Sequence, residues 1–211
     1  PLTLIKGPLE NIILKKQVDA ETREDLNVMK QNTERLLNLT NQLLDFRKTE
    51  SQGFRLNFAK CNITEVLKET HIRFTSLAKQ KGLEFTLQVP EKDFYAHVNQ
   101  EAFTKIISNL LNNGMKYAES YVHVMLEIPE TDDDNLFRIR TVNDGVIIPD
   151  EMKEEIFKPF VRFNEQEDGK VTTGTGIGLA LSRSLAELHL GTLAMEAGEE
   201  SNIFCLTLPV V

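Results

Sequence analysis

The sequence predicts an α+β protein in two parts: a helical hairpin over residues 1–52, and over 53–211 an α/β sandwich whose mixed sheet is covered by helices. Three features predict it. Residues 1–48 carry apolar side chains at three- and four-residue spacing, the period of a helix. Beyond Gly53, short alternating runs mix with amphipathic helices, few of them in strict succession, which favours a sheet with helices on one face. Near the end, Gly174-Thr175-Gly176-Ile177-Gly178 opens directly into the apolar helix pattern of Leu179-Ala180-Leu181.

The first helix is marked by Leu2, Ile5, Leu9, Ile12 and Ile13. Pro8 lies inside it and is expected to bend or break it, because proline lacks the N–H and its ring crowds the preceding turn. Residues 17–22 read as a turn, with Asp19 or Thr22 placed to cap the second helix. That helix repeats Met29, Leu36 and Leu43 at a seven-residue interval, widened by Leu26, Leu37, Leu39, Leu44 and Phe46. A two-helix hairpin cannot bury that much apolar surface alone. A second copy, completing a dimeric four-helix bundle through residues 1–50, is therefore expected.

In the second part, residues 54–58 alternate like a short strand. Residues 63–81 read as a helix on Val66, Leu67, Ile72, Phe74 and Leu77, and strands are expected at 83–89 and 94–98. Residues 100–116 form a strong amphipathic pattern with Phe103, Ile106, Ile107, Leu110 and Leu111 on one face. Strands at 122–128 and 136–142 flank the acidic turn Asp132-Asp133-Asp134-Asn135. Residues 163–173 are polar and are expected to be a mobile loop. A helix at 177–188 and strands at 192–196 and 203–208 complete the chain.

Composition narrows the function. A net charge of −8 and a pI near 5.1 argue against a sequence-independent grip on nucleic acid or on an anionic membrane. Cys61 and Cys205 stand far apart in apolar-rich segments and read as reduced core thiols. His71, His97, His123 and His189 are scattered, which suggests no metal cluster; His189 closes a helix, where a cation suits the dipole. No apolar run reaches the ~18 residues that span a bilayer. The opening Pro1-Leu2-Thr3 reads like a segment cut from something longer.

Alternating glycines let the backbone approach an anion closely, and the helix start beyond them supplies unpaired N–H groups. Upstream come Asn109-Leu110-Leu111-Asn112-Asn113-Gly114-Met115-Lys116-Tyr117, then Asn143-Asp144-Gly145, then Phe157-Lys158-Pro159-Phe160. Asn109 and Asn113 share one helix face, as do Asn113 and Lys116. Amide oxygens are neutral, hard ligands suited to Mg²⁺. Taken singly, the asparagines also read as a solvated helix face, the phenylalanines as core and Arg162 as a surface residue. Together, in this order, the four elements point to a nucleotide. No Gly-Lys-Ser/Thr follows the glycines, so this is not a Walker loop.

With Arg35-Leu36-Leu37, Asn41-Gln42-Leu43-Leu44-Asp45-Phe46-Arg47-Lys48, His189-Leu190-Gly191 and Phe204…Leu208-Pro209 added, the whole chain resembles the sensor histidine kinases, most of all the hybrid two-component sensors. The resemblance implies a Bergerat (GHKL) ATP-binding fold with ATP and Mg²⁺ as cofactors. It places Asn113 on the Mg²⁺ with Asn109 assisting, Lys116 on phosphate and Tyr117 along the pocket, and Asn109, Asn113 and Lys116 form the catalytic set. Asn143, Asp144 and Gly145 fall at the adenine end. Phe157 and Phe160 anchor a lid, Arg162 meets phosphate, and Gly174, Thr175, Gly176, Ile177, Gly178 and Leu179 shape the phosphate end.

Two positions depart from the family. Asn143 stands where an aspartate accepts a bond from the adenine amino group, and Ile147 stands where glycine is usual. Losing the charge on that bond costs on the order of 1 kcal/mol, roughly fivefold in affinity. Ile147 narrows the pocket floor, and a small local shift would let Asp144 compensate. The acceptor histidine and its adjacent acid are expected just before residue 1, since none of the four histidines has the right context. The implied reaction passes the γ-phosphoryl of ATP to that histidine and then to an aspartate of a response-regulator receiver domain, on the same polypeptide in a hybrid sensor. The implied setting is the cytoplasmic portion of a membrane-anchored sensor, with no nucleic-acid contact from these residues. Two rivals stay open: a dimeric signalling scaffold with weak or no ATP turnover, and an ATPase of the gyrase, chaperone and mismatch-repair type.

Overall fold

A computed structural model describes residues 2–13, 19–50, 56–130, 135–163, 174–196, 198 and 200–210. The chain divides into two units, residues 1–48 and 49–211. Of the expected features, residues 17–18 of the first turn, 54–55 of the first strand, Asp132-Asp133-Asp134 and residues 164–173 of the loop lie outside the described residues.

The first unit is a helical pair, α1 (Leu2–Ile13) and α2 (Ala20–Glu50). Of the bend or break expected at Pro8, the break does not occur: helix α1 runs unbroken through it. One lost N–H rung does not end a helix whose neighbouring rungs are made on either side. Asp19 is the cap of α2: its carboxylate accepts the Thr22 N–H and the Thr22 hydroxyl, each at 2.8 Å. Those bonds hold the Asp19 carboxyl below its ordinary range. Lys6 meets Glu34 at 3.0 Å and Lys30 meets Glu10 at 3.6 Å, so the helices run antiparallel. Within the unit Leu9 is buried, whereas Met29, Leu36, Leu43 and Leu44 stay exposed.

The second unit begins with β1 (Ala59–Asn62), paired antiparallel with β3 (Tyr95–Val98). The strand expected from residue 54 is displaced: residues 56–58 have no regular structure. Phe58 lies outside the β1–β3 pairing and sets its ring edge-on to His189, 5.3 Å between centroids. A five-stranded sheet is built from β2 (Glu84–Gln88), β4 (Tyr121–Glu127), β5 (Leu136–Asn143), β6 (Thr192–Glu196) and β7 (Asn202–Pro209), in the order β2-β4-β5-β7-β6. β2 is parallel to β4 and the other pairs are antiparallel, so the sheet is mixed.

Helices α3 (Ile63–Lys81), α4 (Gln100–Tyr117) and α5 (Gly178–Leu188) supply the helical layer. Phe103, Ile106, Ile107, Leu110, Leu111 and Met115 of α4 are buried with Val122, Val124, Phe137, Ile139, Leu206 and Leu208 of the sheet. The opposite face carries charge, with Arg140 bridging Glu127 and, at 2.7 Å, Glu196. Cys61 and Cys205 are buried free thiols, and burial pushes both up in pKa.

Helix boundaries follow local chemistry. The Asn62 side chain accepts the Glu65 N–H at 3.1 Å, and Asn99 accepts the Ala102 N–H at 2.9 Å. Gly82, at φ +71°, ends α3 in a left-handed turn. His189 corrects the expectation of a cation at the end of α5. It is 2% exposed, and burial lowers its pKa. The Asn99 N–H donates to its Nε2 at 3.1 Å, so Nδ1 carries the proton and donates to the Leu185 carbonyl at 2.7 Å. The ring is held neutral. Replacing the α3 cap, Asn62→Ala, is expected to lower stability by about 1 kcal/mol in urea unfolding followed by circular dichroism.

Candidate nucleotide-binding site

The C-terminal half of α4 carries the first part of the site. Asn109 donates through Nδ2 to the Gly178 carbonyl at 3.3 Å and the Ser182 hydroxyl at 3.2 Å, tying α4 to the start of α5. Asn113, one turn further on, is half-buried, and its amide has no hydrogen-bond partner among the described residues. Lys116 donates to the Tyr117 hydroxyl at 2.7 Å, with its ammonium 4.4 Å from that ring centroid. An open groove of about 640 Å³ runs along α4 past Lys105 and Ser108 to Asn109.

The glycine segment closes on this helix. A methyl group at Gly174 would sit 2.9 Å from the Lys116 ammonium nitrogen, so the lysine approaches bare backbone there. Gly176 has φ +69°, and its carbonyl accepts the Phe160 N–H at 2.9 Å. Ile177 is fully buried and donates its N–H to the Thr175 hydroxyl at 3.3 Å. No side chain caps the N-terminus of α5, so its first N–H groups are left toward the glycine segment. Leu179 is half-buried in the first turn of α5.

The two phenylalanines have different surroundings. Phe157 is core: it meets Phe204 edge-on at 6.4 Å, and the Arg183 guanidinium lies 3.7 Å over its ring. Phe160 is 64% exposed and sits at φ +68°, a left-handed conformation that costs roughly 1–2 kcal/mol for a residue with a Cβ. Arg162 is half-buried.

The turn after β5 completes the set. A Cβ at Gly145 would lie 2.0 Å from the Tyr117 carbonyl oxygen, so only glycine lets this turn meet the end of α4. Asp144 does not swing toward the pocket. Its carboxylate accepts the N–H groups of Glu119, Ser120 and Tyr121 at 3.0–3.1 Å, together with the Ser120 hydroxyl. Burial works to raise its pKa, but the Ser120 hydroxyl and the three N–H groups outweigh it and bring it to about 2. Val146 and Ile147 are exposed.

Asn143 is 3% exposed; its Oδ1 accepts the Gly145 N–H at 3.2 Å and, at a long 3.5 Å, Asn202 Nδ2. Sequence reasoning missed Asn202. It accepts the Ile148 N–H at 3.0 Å and donates to the carbonyls of Gly145 at 3.2 Å and Val146 at 3.0 Å, clamping the turn. Only the register of β5 with β7 brings it opposite Asn143, and no local signal announces that pairing. Two residues before Asn143, on the same strand face, the Thr141 hydroxyl is buried with no partner among the described residues.

The described residues hold no group of three or more His, Cys, Asp or Glu side chains that could bind a metal. The hard donors at the C-terminal half of α4 are the amide oxygens of Asn109 and Asn113. That set fits Mg²⁺, which takes few protein ligands and keeps phosphates and water in its shell.

The family described as histidine kinase-, DNA gyrase B-, and HSP90-like ATPases matches residues 98–211, and the His kinase A phospho-acceptor domain matches residues 1–52. The chain belongs to the sensor histidine kinases. It is 32% identical over 213 residues to histidine kinase P4 of Formosa agariphila, covering 100% of this chain and 15% of that protein. It is 30% identical over 201 residues to hybrid signal transduction histidine kinase D of Dictyostelium discoideum, covering 92% of this chain and 13% of that protein. The chain thus spans a small part of these relatives. The solved full-length ShkA in complex with AMPPNP matches with a TM-score of 0.77 at 20% identity, over 99% of this chain and 44% of that one. That likeness shows the fold. The hairpin, matched in its own right, places the chain with the kinases rather than with the gyrase or chaperone branch of the ATPase family.

The turn after β5 is held to residues 119–121 by Asp144 as an ionised clamp. A carboxyl whose folded pKa lies below its ordinary value of about 3.9 stabilises above that value and loses the effect as pH falls toward 2. Asp144→Asn is expected to cost about 1–2 kcal/mol at neutral pH, with the difference from the parent shrinking between pH 4 and pH 2 in urea titrations.

Proposed function

We propose that this chain binds Mg-ATP between α4, the turn after β5 and the glycine segment, and that it presents the γ-phosphoryl to a histidine of the kinase's phosphoacceptor domain. The observation that carries the reading is the convergence of Asn109 and Lys116, with Asn113 between them on α4, on the Gly174–Gly178 backbone and the uncapped start of α5. Asn113, with no protein partner among the described residues, is the amide left to hold the cation, and Asn109 is already engaged with α5. When bound, Mg²⁺ neutralises phosphate charge. Lys116 and the first N–H groups of α5 hold the phosphate oxygens, and Gly145 lets the turn at the base end pack against the Tyr117 backbone. Phosphoryl transfer asks for little covalent work from the protein, so positioning and charge account for most of the catalysis.

Exposed Met29, Leu36, Leu43 and Leu44 support a homodimer through residues 1–50. A receiver domain takes the phosphoryl group from the histidine, on the same polypeptide if the hybrid resemblance extends that far. No described helix is long and apolar enough to cross a membrane. In this reading the chain is the cytoplasmic portion of a membrane-anchored sensor.

Calorimetry with Mg-ATP is expected to give micromolar-range binding by the parent chain and at least tenfold weaker binding by Asn113→Ala, the order of a lost charge-assisted contact. Equal binding by both would sink the metal role. Absence of binding by the parent would favour the scaffold reading. In analytical ultracentrifugation, Leu36→Glu with Leu43→Glu is expected to yield a monomer that still binds Mg-ATP.

A further inference from the structure

The phosphate end of the proposed site is marked by Lys116, the glycines and the start of α5, so the base end lies at the turn after β5. Its buried polar group is Asn143. Which atom of that amide faces the ligand is settled by backbone groups, whose donor and acceptor roles are fixed. The Ile148 N–H selects Asn202 Oδ1, and the carbonyls of Gly145 and Val146 select Asn202 Nδ2. The Gly145 N–H, with Asn202 Nδ2 beside it, then selects Asn143 Oδ1. The remaining atom of Asn143 is Nδ2, which has no acceptor among the described residues.

A carboxylate at this position would be anchored through one oxygen in the same way and would offer its second oxygen as an acceptor. The amide offers an N–H donor instead. Turning the amide over would set its N–H against the Gly145 N–H and the Asn202 Nδ2 group, losing both bonds and creating two donor–donor contacts. The network therefore commits Oδ1 to the protein and leaves the Nδ2 donor uncommitted.

We propose that Asn143 makes the base subsite a hydrogen-bond donor, so that the chain accepts 6-oxopurine nucleoside triphosphates at least as well as ATP. A 6-oxopurine presents an acceptor at position 6, which matches Nδ2. The adenine amino group presents a donor, which does not match, and adenine keeps only its ring nitrogens for this contact. The Thr141 hydroxyl, buried and unpartnered among the described residues on the same strand face, can donate or accept. It serves either purine and leaves the selection to Asn143. This proposal rests on the nucleotide reading above and concerns only which base that site takes.

The test is calorimetry with Mg-ATP and Mg-ITP, which differ at the 6-amino against the 6-oxo edge, on the parent chain and on Asn143→Asp. The substitution is isosteric and keeps an oxygen for the Gly145 N–H, so the turn stays anchored. The parent is expected to bind ITP as tightly as ATP or more tightly, and Asn143→Asp to shift the ratio at least tenfold toward ATP. A parent that prefers ATP tenfold or more overturns the proposal while leaving the nucleotide site standing. A ratio unchanged in Asn143→Asp does the same. If the parent binds neither nucleotide, the nucleotide-site reading itself fails and takes this proposal with it. The parent ratio is decisive by itself should the variant fold poorly.

Discussion

The second unit depends first on the seating of α4 against the sheet. Phe103, Ile106, Ile107, Leu110, Leu111 and Met115 form one buried face, and each such side chain contributes about 1.5–3 kcal/mol on leaving water. Because that face is fully buried, the rotation of the helix is set, and Asn109, Asn113 and Lys116 lie off the buried face. The side chains proposed to hold a cation and phosphates gain their positions from the hydrophobic residues on the opposite face of the helix.

A second constraint works through polar groups. The turn after β5 would be a loose link were it not held from two sides. Asp144 gathers the N–H groups of residues 119–121, which joins the turn to the connection between α4 and β4. Asn202 holds its carbonyls and the Ile148 N–H from β7. Gly145 then comes against the end of α4 with no room for a side chain. Three strands and a helix thus meet at one point. The departures at Asn143 and Ile147 are absorbed into that junction, the first inside the network and the second at its exposed rim.

Much of this was legible in the sequence because it is written in short-range patterns. The period of α4, the cap at Asp19 and the alternation of β4 and β5 are properties of a few neighbouring residues, and these elements appear where their patterns put them. The failures share one cause. Pro8 signalled a break that its neighbouring helical rungs override. The strand expected from residue 54 was drawn by Phe54 and Phe58, yet Phe58 serves an edge contact with His189, far along the chain. His189 was assigned by its place at a helix end, but Asn99, brought in by the fold, decides its protonation.

What the sequence determined by itself is the inventory: two helices with an apolar stripe, a mixed α/β unit, and the asparagine, glycine and phenylalanine phrases that together mark a kinase of this family. The elements come from periodicity and spacing, which are local, and the family from the resemblance that those phrases carry. What only the tertiary structure decided is how the polar groups are committed: Asp144 to the backbone of residues 119–121, Phe157 to the core and Phe160 to the surface, Asn202 to the turn, and the Asn143 amide with its oxygen inward. Hydrogen-bond orientation depends on which donors and acceptors meet across strand register and helix packing. Those meetings are made between residues remote in the chain, where no local pattern can record them.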